Sequence, residues 1–339
     1  FLAFFVPKLL TGTLLLAEDM VRIIWGIARQ FAAQPETFLP GRRRFVSNVA
    51  IITAALPFGA LLYGMFRGKY QFQVLTYTLT FDDLPEAFDG YTIAHISDIH
   101  CGSFDDDEKV AYGVSLVNEQ NADLILFTGD LVNNRANELD RWQEVLGSLS
   151  APDGLYSVLG NHDYGDYVSW ASAEEKQANL NDLKERQAKM GWQLLLNEHI
   201  SIKRDGQEFS LIGVENWGVG GFKKSGDVQA ATQGIDPESF KILMSHDPSH
   251  WEHQIKDHPM KVHLTLSGHT HGMQFGVDIP GLIKWSPVQY RYPFWAGIYK
   301  RNNKFLNVNR GFGFIGYPGR VGIKPEVSVI QLKKAVKSA

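Results

Sequence analysis

The segment Leu155-Tyr-Ser-Val-Leu-Gly-Asn-His-Asp163 decides the fold, because an apolar run leads directly into an amide, an imidazole and a carboxylate. The apolar part, Leu155–Leu159, has the length and composition of a short buried strand and is followed by a glycine. Side chains that can bind a metal ion or a phosphate group therefore stand where this predicted strand ends.

Four other apolar stretches end in the same way, and each predicts a short buried strand. They are Tyr91–Ser97 before Asp98 and His100, Ala122–Thr128 before Asp130, Phe240–Met244 before His246, and Val262–Leu266 before His269 and His271. The stretches with a helical pattern are Asp106–Gln120, Glu138–Leu149 and Ser172–Met190. Strands that alternate with helices and then give way to a strand-rich end predict a layered α/β fold with a mixed sheet.

The side chains at these strand ends predict a metal site. Ligands of open α/β sheets bind beyond the carboxyl ends of the strands, so residues far apart in sequence are expected to converge there. In Asp98-Ile-His100 and His269-Thr-His271, residues two apart on extended chain point the same way and can hold one ion. A donor set rich in imidazole is typical of sites for Mn, Fe or Zn. Calcium is instead bound by a cage of oxygen atoms alone. Glycines at 129, 160 and 268 precede the ligand positions, where we expect the backbone to turn without room for a Cβ.

The composition narrows the function further. Among 339 residues, 44% are hydrophobic and 21% are charged, which suits a folded core. A net charge of −4 argues against a general nucleic-acid-binding protein, so no nucleic-acid partner is expected. The single cysteine, Cys101, excludes an intrachain disulfide and a cysteine-rich metal site. Six of the 11 histidines have no place in the strand-end pattern, and we expect structural roles for His95, His199, His250, His253, His258 and His263.

The first seventy residues predict a membrane region. Residues 45–66 carry no charge and are long enough to cross a bilayer, and the basic residues 42–44 stand directly before them. By the positive-inside rule, the chain after Arg67 emerges on the side opposite the cytoplasm. Residues 1–25 predict a second span and residues 34–41 a short cytoplasmic loop. A cleaved twin-arginine signal is the alternative for 45–66, although no small-residue cleavage site follows it. The chain begins with Phe1 rather than Met, so a processed or truncated N-terminus and earlier spans stay open.

The strand-end motifs resemble those of the calcineurin-like metallophosphoesterases. The pattern of that family is Asp-x-His, Gly-Asp, Gly-Asn-His-Asp or Glu, a lone His, and Gly-His-x-His. This chain has Asp98-Ile-His100, Gly129-Asp130, Gly160-Asn-His-Asp163, His246 and Gly268-His-Thr-His271. The resemblance covers residues 90–332 and implies a four-layer α/β/β/α sandwich with a dinuclear metal site, preceded here by one or more transmembrane helices.

The resemblance also implies cofactors and residue roles. The cofactors would be two divalent metal ions, Mn, Fe, Zn or Mg, which activate a water molecule for attack on phosphorus. His162 would lie at the substrate phosphate and donate a proton to the leaving oxygen, with Asp163 orienting it. The implied metal ligands are Asp98, His100 and His271 for one ion, Asn161, His246 and His269 for the other, and Asp130 bridging both.

The C-terminal tail contains Asn309-Arg-Gly-Phe-Gly, Pro318-Gly-Arg-Val-Gly and Pro325-Glu326. It looks like the tail of the membrane-associated bacterial branch of this family, which includes enzymes similar to UDP-diacylglucosamine pyrophosphohydrolases. The tail contains Arg310 and Arg320, which are candidates for binding substrate phosphate, with a surface or loop-fixing role as the alternative. Three aromatic residues, Trp170, Trp217 and Phe222, are interpreted either as local packing or as an apolar lip that admits a lipid tail.

We therefore predict a membrane region at 1–70 and a catalytic metallophosphoesterase domain at 71–339, anchored in a bacterial inner membrane with the catalytic domain on the periplasmic face. It would hydrolyse a phosphodiester, pyrophosphate or phosphomonoester, preferably in a lipid or lipid-linked substrate, because the anchor holds the site near the bilayer. The alternatives are a tethered phosphodiesterase for soluble nucleotides and a non-catalytic scaffold subunit. If the span is reversed or not inserted, the domain faces the cytoplasm. Protein partners stay unknown.

Overall fold

A computed structural model describes residues 1–32, 40–279 and 281–336 of the chain. The chain divides into two compact units, Phe1–Gly68 and Lys69–Ala339. Most of the predicted loop at 34–41 lies outside the described residues, and its last two positions, Pro40 and Gly41, already belong to a helix.

The first unit consists of two long helices, α1 (Leu2–Ala32) and α2 (Pro40–Phe66). Within the described part of the chain, one helix is long and apolar enough to cross a membrane, at Arg44–Phe66. Its apolar side chains are largely exposed, with Leu56 at 73%, as a surface facing lipid requires. The predicted span at 1–25 lies in α1, which also carries Glu18 and Asp19, and this second span stays a prediction.

The second unit is built on two six-stranded sheets, both mixed. In spatial order the first sheet contains β1 (Gln73–Phe81), β14 (Glu326–Lys334), β2 (Thr92–Ile96), β3 (Leu124–Phe127), β4 (Leu155–Ser157) and β5 (Gln193–Leu194). The second contains β12 (Gly297–Arg301), β13 (Lys304–Val308), β9 (Leu264–Ser267), β8 (Lys241–Met244), β7 (Gln207–Gly213) and β6 (Glu198–Arg204). A separate hairpin pairs β10 (Val277–Ile279) with β11 (Ile283–Trp285).

The register brings the carboxyl ends of neighbouring parallel strands level with one another. In the first sheet Ile96 pairs with Phe127, and Phe127 pairs with Ser157. In the second sheet Met244 pairs with Leu266. The loops that follow β2, β3, β4, β8 and β9 therefore leave the two sheets at corresponding edges, where the predicted ligands stand.

Three apolar layers hold the second unit together. The helices α3 (Asp107–Asn118), α4 (Gln143–Gly147) and α5 (Ala173–Lys189) cover the outer face of the first sheet. A second layer fills the space between the sheets, and a third lies under α6 (Val228–Ala231) and the turn that begins with α7 (Pro248–His250). The structure confirms the predicted four-layer α/β/β/α sandwich. Because each sheet is apolar on both faces, the polar residues collect at the strand ends.

The predicted helix Glu138–Leu149 is wrong over its first half. Residues Ala136–Leu139 form a 3₁₀ turn, and α4 begins only at Gln143. The cause is Glu138, whose carboxylate accepts hydrogen bonds from the amides of Asn133, Asn134 and Arg135 at 2.6–3.0 Å. This carboxylate closes the loop after β3 instead of continuing a helix, and the loop borders the predicted metal site.

Candidate metal centre

The structure brings all seven predicted ligands together in two adjoining groups. The first group contains Asp98, His100 and His271, and the ligand atoms of all three lie within 4.8 Å of one another. His271 Nε2 is 3.2 Å from Asp98 Oδ1, and His100 Nε2 is 4.0 Å from the same oxygen. All three residues are buried. One carboxylate and two imidazoles therefore face a common point.

The second group contains Asp130, His246 and His269, whose ligand atoms also lie within 4.8 Å of one another. The amide oxygen of Asn161 joins this group, at 2.9 Å from His269 Nδ1 and 3.1 Å from His246 Nε2. Asp130 Oδ2 lies 3.2 Å from His246 Nε2 and 3.5 Å from His100 Nε2. The Asp130 carboxylate thus stands between the two groups.

The donor atoms fit metal ions on chemical grounds. The Nε2 atoms of His100 and His271 are buried and have no hydrogen-bond partner among the described residues, a costly state unless another group binds there. The Nδ1 atom of His246 lies 2.7 Å from the carbonyl oxygen of Thr128 and donates its proton there, so Nε2 is the ring nitrogen that faces the ligand group. Imidazole nitrogens with a few carboxylate and amide oxygens are typical of Mn, Fe or Zn sites.

The backbone at the ligands adopts a conformation that side chains rarely occupy. Asp98, His100, Asp130, His269 and His271 all have positive φ, between 47° and 70°. Such residues cost about 1–3 kcal/mol each and cluster at functional sites, where the surrounding structure holds them in place. The fold therefore stores strain at the positions that aim the ligands.

The structure confirms the prediction that the backbone at Gly160 leaves no room for a Cβ atom. Its backbone does not require positive φ, but a Cβ atom there would collide with the carboxylate and amide of Asp130. Gly129 does have positive φ, at 94°. Gly160 is thus needed for close approach, whereas Gly129 is needed both for its positive φ and because a Cβ atom there would collide with the backbone of Gly160.

The charges in the site are tightly coupled. Burial alone would lower the pKa of His246, but the Asp130 carboxylate outweighs burial and raises that pKa to about 10. Burial raises the pKa of Asp130, and the neighbouring imidazoles, His246 first, more than reverse this and hold it well below its usual range. Burial lowers the pKa of His100 to about 3. An ion binding at the second group must therefore displace a proton from His246, so metal affinity is expected to rise with pH.

The predicted role of Asp163 as the group that orients His162 is wrong. Its two carboxylate oxygens accept hydrogen bonds from the amides of Asp130, Leu131 and Gly160 at 2.8 Å and from Val132 at 3.3 Å. The ring of His162 is held instead by the carbonyl oxygen of Asn133, 2.8 Å from Nδ1. Asp163 follows His162 in a 3₁₀ turn, which directs its side chain back into the loops and fixes them around the site.

His162 lies beside both groups without joining either. Its ring centroid is 5.0 Å from that of His100, and its backbone amide donates to Asp130 Oδ1 at 2.8 Å. Its side chain is half-buried, whereas His100 and His246 are fully buried. The ring of Tyr167 packs against it at 4.4 Å. His162 is therefore accessible to a substrate held at the two groups.

Arg310 and Arg320 are buried and occupied by protein groups. Arg310 forms ion pairs with Glu326 and Asp278. Arg320 donates to the carbonyl oxygens of Arg310 and Gly311 at 2.8 and 3.0 Å, and its Nη2 lies 3.3 Å from Nδ1 of the ligand candidate His271. These contacts favour the loop-fixing interpretation over direct binding of substrate phosphate.

Other predictions concern residues around the site. His95 is buried with Nδ1 at 2.6 Å from Asn307 Oδ1 and Nε2 at 2.9 Å from Thr128 Oγ1, as a structural histidine should be.

Trp217 stacks on His250, which favours local packing over a lipid lip. Phe222, in contrast, contacts the ring of His269 edge-on at 4.8 Å and thus belongs to the border of the site.

Sequence reasoning missed two residues behind His269. Its Nε2 lies 2.9 Å from Tyr292 Oη and 3.5 Å from Asp247 Oδ2, and the tyrosine hydroxyl donates to that same carboxylate at 3.2 Å. Because Nδ1 of His269 faces the second group, Asp247 and Tyr292 hold the opposite side of the ring. Carboxylates in this position orient metal-binding histidines and increase their basicity. The one feature of the sequence that could have indicated this contact is Asp247, which directly follows His246.

Changing Asp247 to asparagine is expected to weaken metal binding at the second group about tenfold to a hundredfold. The amide keeps the shape but loses the negative charge that supports His269. Titration of the metal-free chain with Mn²⁺ measures the effect. Asp227→Asn is the matched control, because Asp227 also caps a short helix through its carboxylate but belongs to neither ligand group. Equal affinities in the two variants would show that Asp247 only caps its turn.

Comparison with known proteins now adds to this geometry. Residues 91–273, more than half of the chain, match the family model described as calcineurin-like phosphoesterase. The chain belongs to this family. Residues 1–69 match a second family model, described as the transmembrane domain of a probable calcineurin-like phosphoesterase. The chain is thus a membrane-associated phosphoesterase, a hydrolase, and it carries two candidate ligand groups for the dinuclear metal centre of its family.

Individual relatives of this phosphoesterase occur in bacteria and in animals. It is 28% identical over 302 residues to the uncharacterized metallophosphoesterase YkuE of Bacillus subtilis, covering 86% of this chain and 97% of that protein. It is 29% identical over 310 residues to a transmembrane protein with metallophosphoesterase domain from Danio rerio, covering 88% of this chain but only 65% of that protein. Among solved structures, a 5'-nucleotidase precursor from Thermus thermophilus matches at 13% identity with a TM-score of 0.43, over 72% of this chain and 54% of that one.

Proposed function

We propose that this membrane-anchored phosphoesterase cleaves a phosphodiester, pyrophosphate or phosphomonoester bond in a lipid or lipid-linked substrate. In this proposal residues 1–70 form the membrane region and residues 71–339 the catalytic domain. The observation that carries it is the pair of ligand groups sharing Asp130 in a unit that begins at Lys69, directly after the apolar helix that ends at Phe66. A short tether of this kind keeps the site close to lipid headgroups.

The ligand groups are proposed to hold two divalent ions, Mn, Fe, Zn or Mg. When bound, such ions polarise a phosphoryl group and lower the pKa of water. The first ion is assigned to Asp98, His100 and His271, the second to Asn161, His246 and His269, and Asp130 contacts both.

His162 is proposed to donate a proton to the leaving oxygen. The Asn133 carbonyl fixes one ring nitrogen, Nδ1, at 2.8 Å, which leaves Nε2 for the substrate.

Among cations near the second group, Arg291 is exposed and lies 5.6 Å from the ring of Phe222, which itself contacts His269. Arg291 is therefore a better candidate for binding a substrate phosphate than the buried Arg310 and Arg320.

The proposal also places the catalytic domain on the side of the membrane opposite the basic residues 42–44. In a bacterial inner membrane this is the periplasmic face. Reporter fusions after residue 68 and after the C-terminus test on which side the domain lies. A cytoplasmic signal from both fusions would place the catalytic domain in the cytoplasm and contradict the proposal.

A substrate screen on the full chain in detergent tests the function. The panel contains a phospholipid diester, a lipid pyrophosphate, a lipid phosphomonoester and a soluble nucleotide diester, each with Mn²⁺ and with a chelator. We expect hydrolysis that the chelator abolishes and a kcat/KM that is higher for a lipid substrate than for the nucleotide. Preference for the nucleotide would support the tethered phosphodiesterase instead, and absence of any metal-dependent hydrolysis would support a scaffold.

A further inference from the structure

The hairpin β10–β11 exposes an apolar face. Its strands pair with Val277 opposite Trp285 and Ile279 opposite Ile283. Residues directly opposite each other lie on the same face of a two-stranded sheet, so these four side chains form one surface. Val277, Ile279 and Ile283 are 38%, 48% and 45% exposed, and Leu282 beside the turn is 79% exposed.

The other face of the hairpin is polar and is fixed to the domain. It carries Asp278 and Lys284, which stand opposite each other in the same register. Asp278 forms an ion pair with the buried Arg310, and the Lys284 ammonium group donates to the carbonyl oxygen of Ala296 at 2.5 Å. A hairpin on a water-soluble domain normally buries its apolar face and exposes its polar face. This hairpin instead leaves its apolar face largely exposed, while Asp278 is half-buried and only Lys284 of the polar face is exposed.

Exposed apolar residues continue on either side of the hairpin. Met273 and Phe275 before it are 59% and 38% exposed, and Tyr290 after it is 81% exposed. Tyrosine and tryptophan are enriched where protein meets the headgroup region of a bilayer. Met273 is two residues from the ligand candidate His271, so this surface adjoins the metal centre.

We propose that this surface, the apolar hairpin patch, is a second membrane contact that enters the interfacial region of the bilayer. The patch consists of Met273, Phe275, Val277, Ile279, Leu282, Ile283 and Tyr290. Apolar patches of this kind on a soluble domain mark a binding surface, and aliphatic side chains with an interfacial tyrosine fit a lipid surface. The occupant is the bilayer because the apolar helix Arg44–Phe66 ends three residues before the domain and keeps lipid at high local concentration.

This contact goes beyond anchoring by the N-terminal helices, since it also sets how the catalytic domain faces the membrane. With the patch in the interface, the loop that carries His269 and His271 is held at headgroup level. The apolar hairpin patch would enter the bilayer in the resting protein, whichever phosphoester bond is cleaved.

A fluorescence experiment without substrate tests the contact. The full chain is reconstituted into phosphatidylcholine vesicles, and an environment-sensitive fluorophore is attached at Leu282→Cys. The native Cys101 is fully buried, and the unsubstituted chain serves as the labelling control. Asp205→Cys is the matched position, since Asp205 is exposed at the turn of the β6–β7 hairpin of the same domain. Vesicles with nitroxide on the lipid acyl chains quench only fluorophores that enter the bilayer.

We expect quenching at position 282 to exceed quenching at position 205 about threefold. Adding Ile283→Asp should bring the value at 282 down to that at 205, because the charge prevents insertion. Equal quenching at both positions in the starting variants would overturn the proposal. A blue-shifted signal at 282 without nitroxide quenching would also overturn it, since it would mean that a protein surface or a second copy covers the patch.

Discussion

Replacing Asp130 with asparagine is expected to lower phosphoester hydrolysis about a thousandfold, which corresponds to a loss of about 4 kcal/mol of transition-state stabilisation. The Asp130 carboxylate lies within 3.5 Å of imidazoles from both groups. An asparagine keeps the volume and can still accept the His162 amide, but it removes the negative charge that the two groups share. Steady-state kinetics in saturating Mn²⁺ measures the loss.

Measurements of metal content and of folding distinguish the loss of the shared carboxylate from misfolding of the variant. We expect Asp130→Asn to bind fewer than the two metal ions per chain proposed for the native protein. Its thermal unfolding temperature should stay close to that of the native protein. Asp166→Asn is the matched control, because Asp166 is exposed in the loop after His162, forms an ion pair with Lys176 and belongs to neither ligand group. Wild-type turnover in Asp130→Asn with full metal content would refute the assignment of this carboxylate.

The convergence of the ligands could be predicted from the sequence because of how parallel strands are arranged, whereas their division into two groups was implied by the family resemblance. Asp98, Asp130 and His246 each follow an apolar strand, and the carboxyl ends of such strands meet at one edge. The level register of the strands then brings these ends together. The prediction that an extended chain lets His269 and His271 hold one ion was wrong, because both residues have positive φ and they belong to different groups. The same argument reached a layered α/β fold with a mixed sheet, whereas the four-layer arrangement was implied by the family resemblance.

The contacts behind the ligands could not be predicted, because they join distant segments. Asp247 meets Tyr292, 45 residues further along the chain, and neither has a sequence pattern that refers to the other. The family resemblance assigned Asp163 to orient His162, yet its carboxylate accepts hydrogen bonds from amides in the loop after β3. Side-chain direction in a 3₁₀ turn depends on the loops that surround it.

The apolar hairpin patch was missed for a related reason. Alternation in Val277–Ile279 and Ile283–Trp285 indicates a strand pair with one apolar and one polar face, but not which face meets the domain. That choice depends on Arg310, whose buried guanidinium group needs Asp278 as well as Glu326. The buried cation thus holds Asp278 against the domain, and the apolar face stays exposed.

Replacing His162 with glutamine is expected to lower hydrolysis of substrates with an alkoxide leaving group by between about a hundredfold and ten thousandfold. The ring is half-buried, adjoins both ligand groups, and is fixed through Nδ1 by the Asn133 carbonyl. Glutamine can donate a hydrogen bond but cannot transfer a proton at neutral pH. The loss should fall to about tenfold for a p-nitrophenyl ester, because nitrophenolate leaves without protonation.

This difference between leaving groups distinguishes proton donation from phosphate binding. If His162 only bound the phosphate, both substrates would lose the same factor, since both present the same phosphoryl oxygens. His199→Gln is the matched control, because its half-buried imidazole is held by the Ala231 carbonyl at 2.9 Å on the edge strand β6 and lies outside both ligand groups. Equal losses for the two leaving groups in His162→Gln would show that His162 is not the proton donor. The donor would then have to be water or another side chain at the border of the site. Tyr167 is one such side chain, and its hydroxyl accepts a hydrogen bond from Asn161 at 2.8 Å.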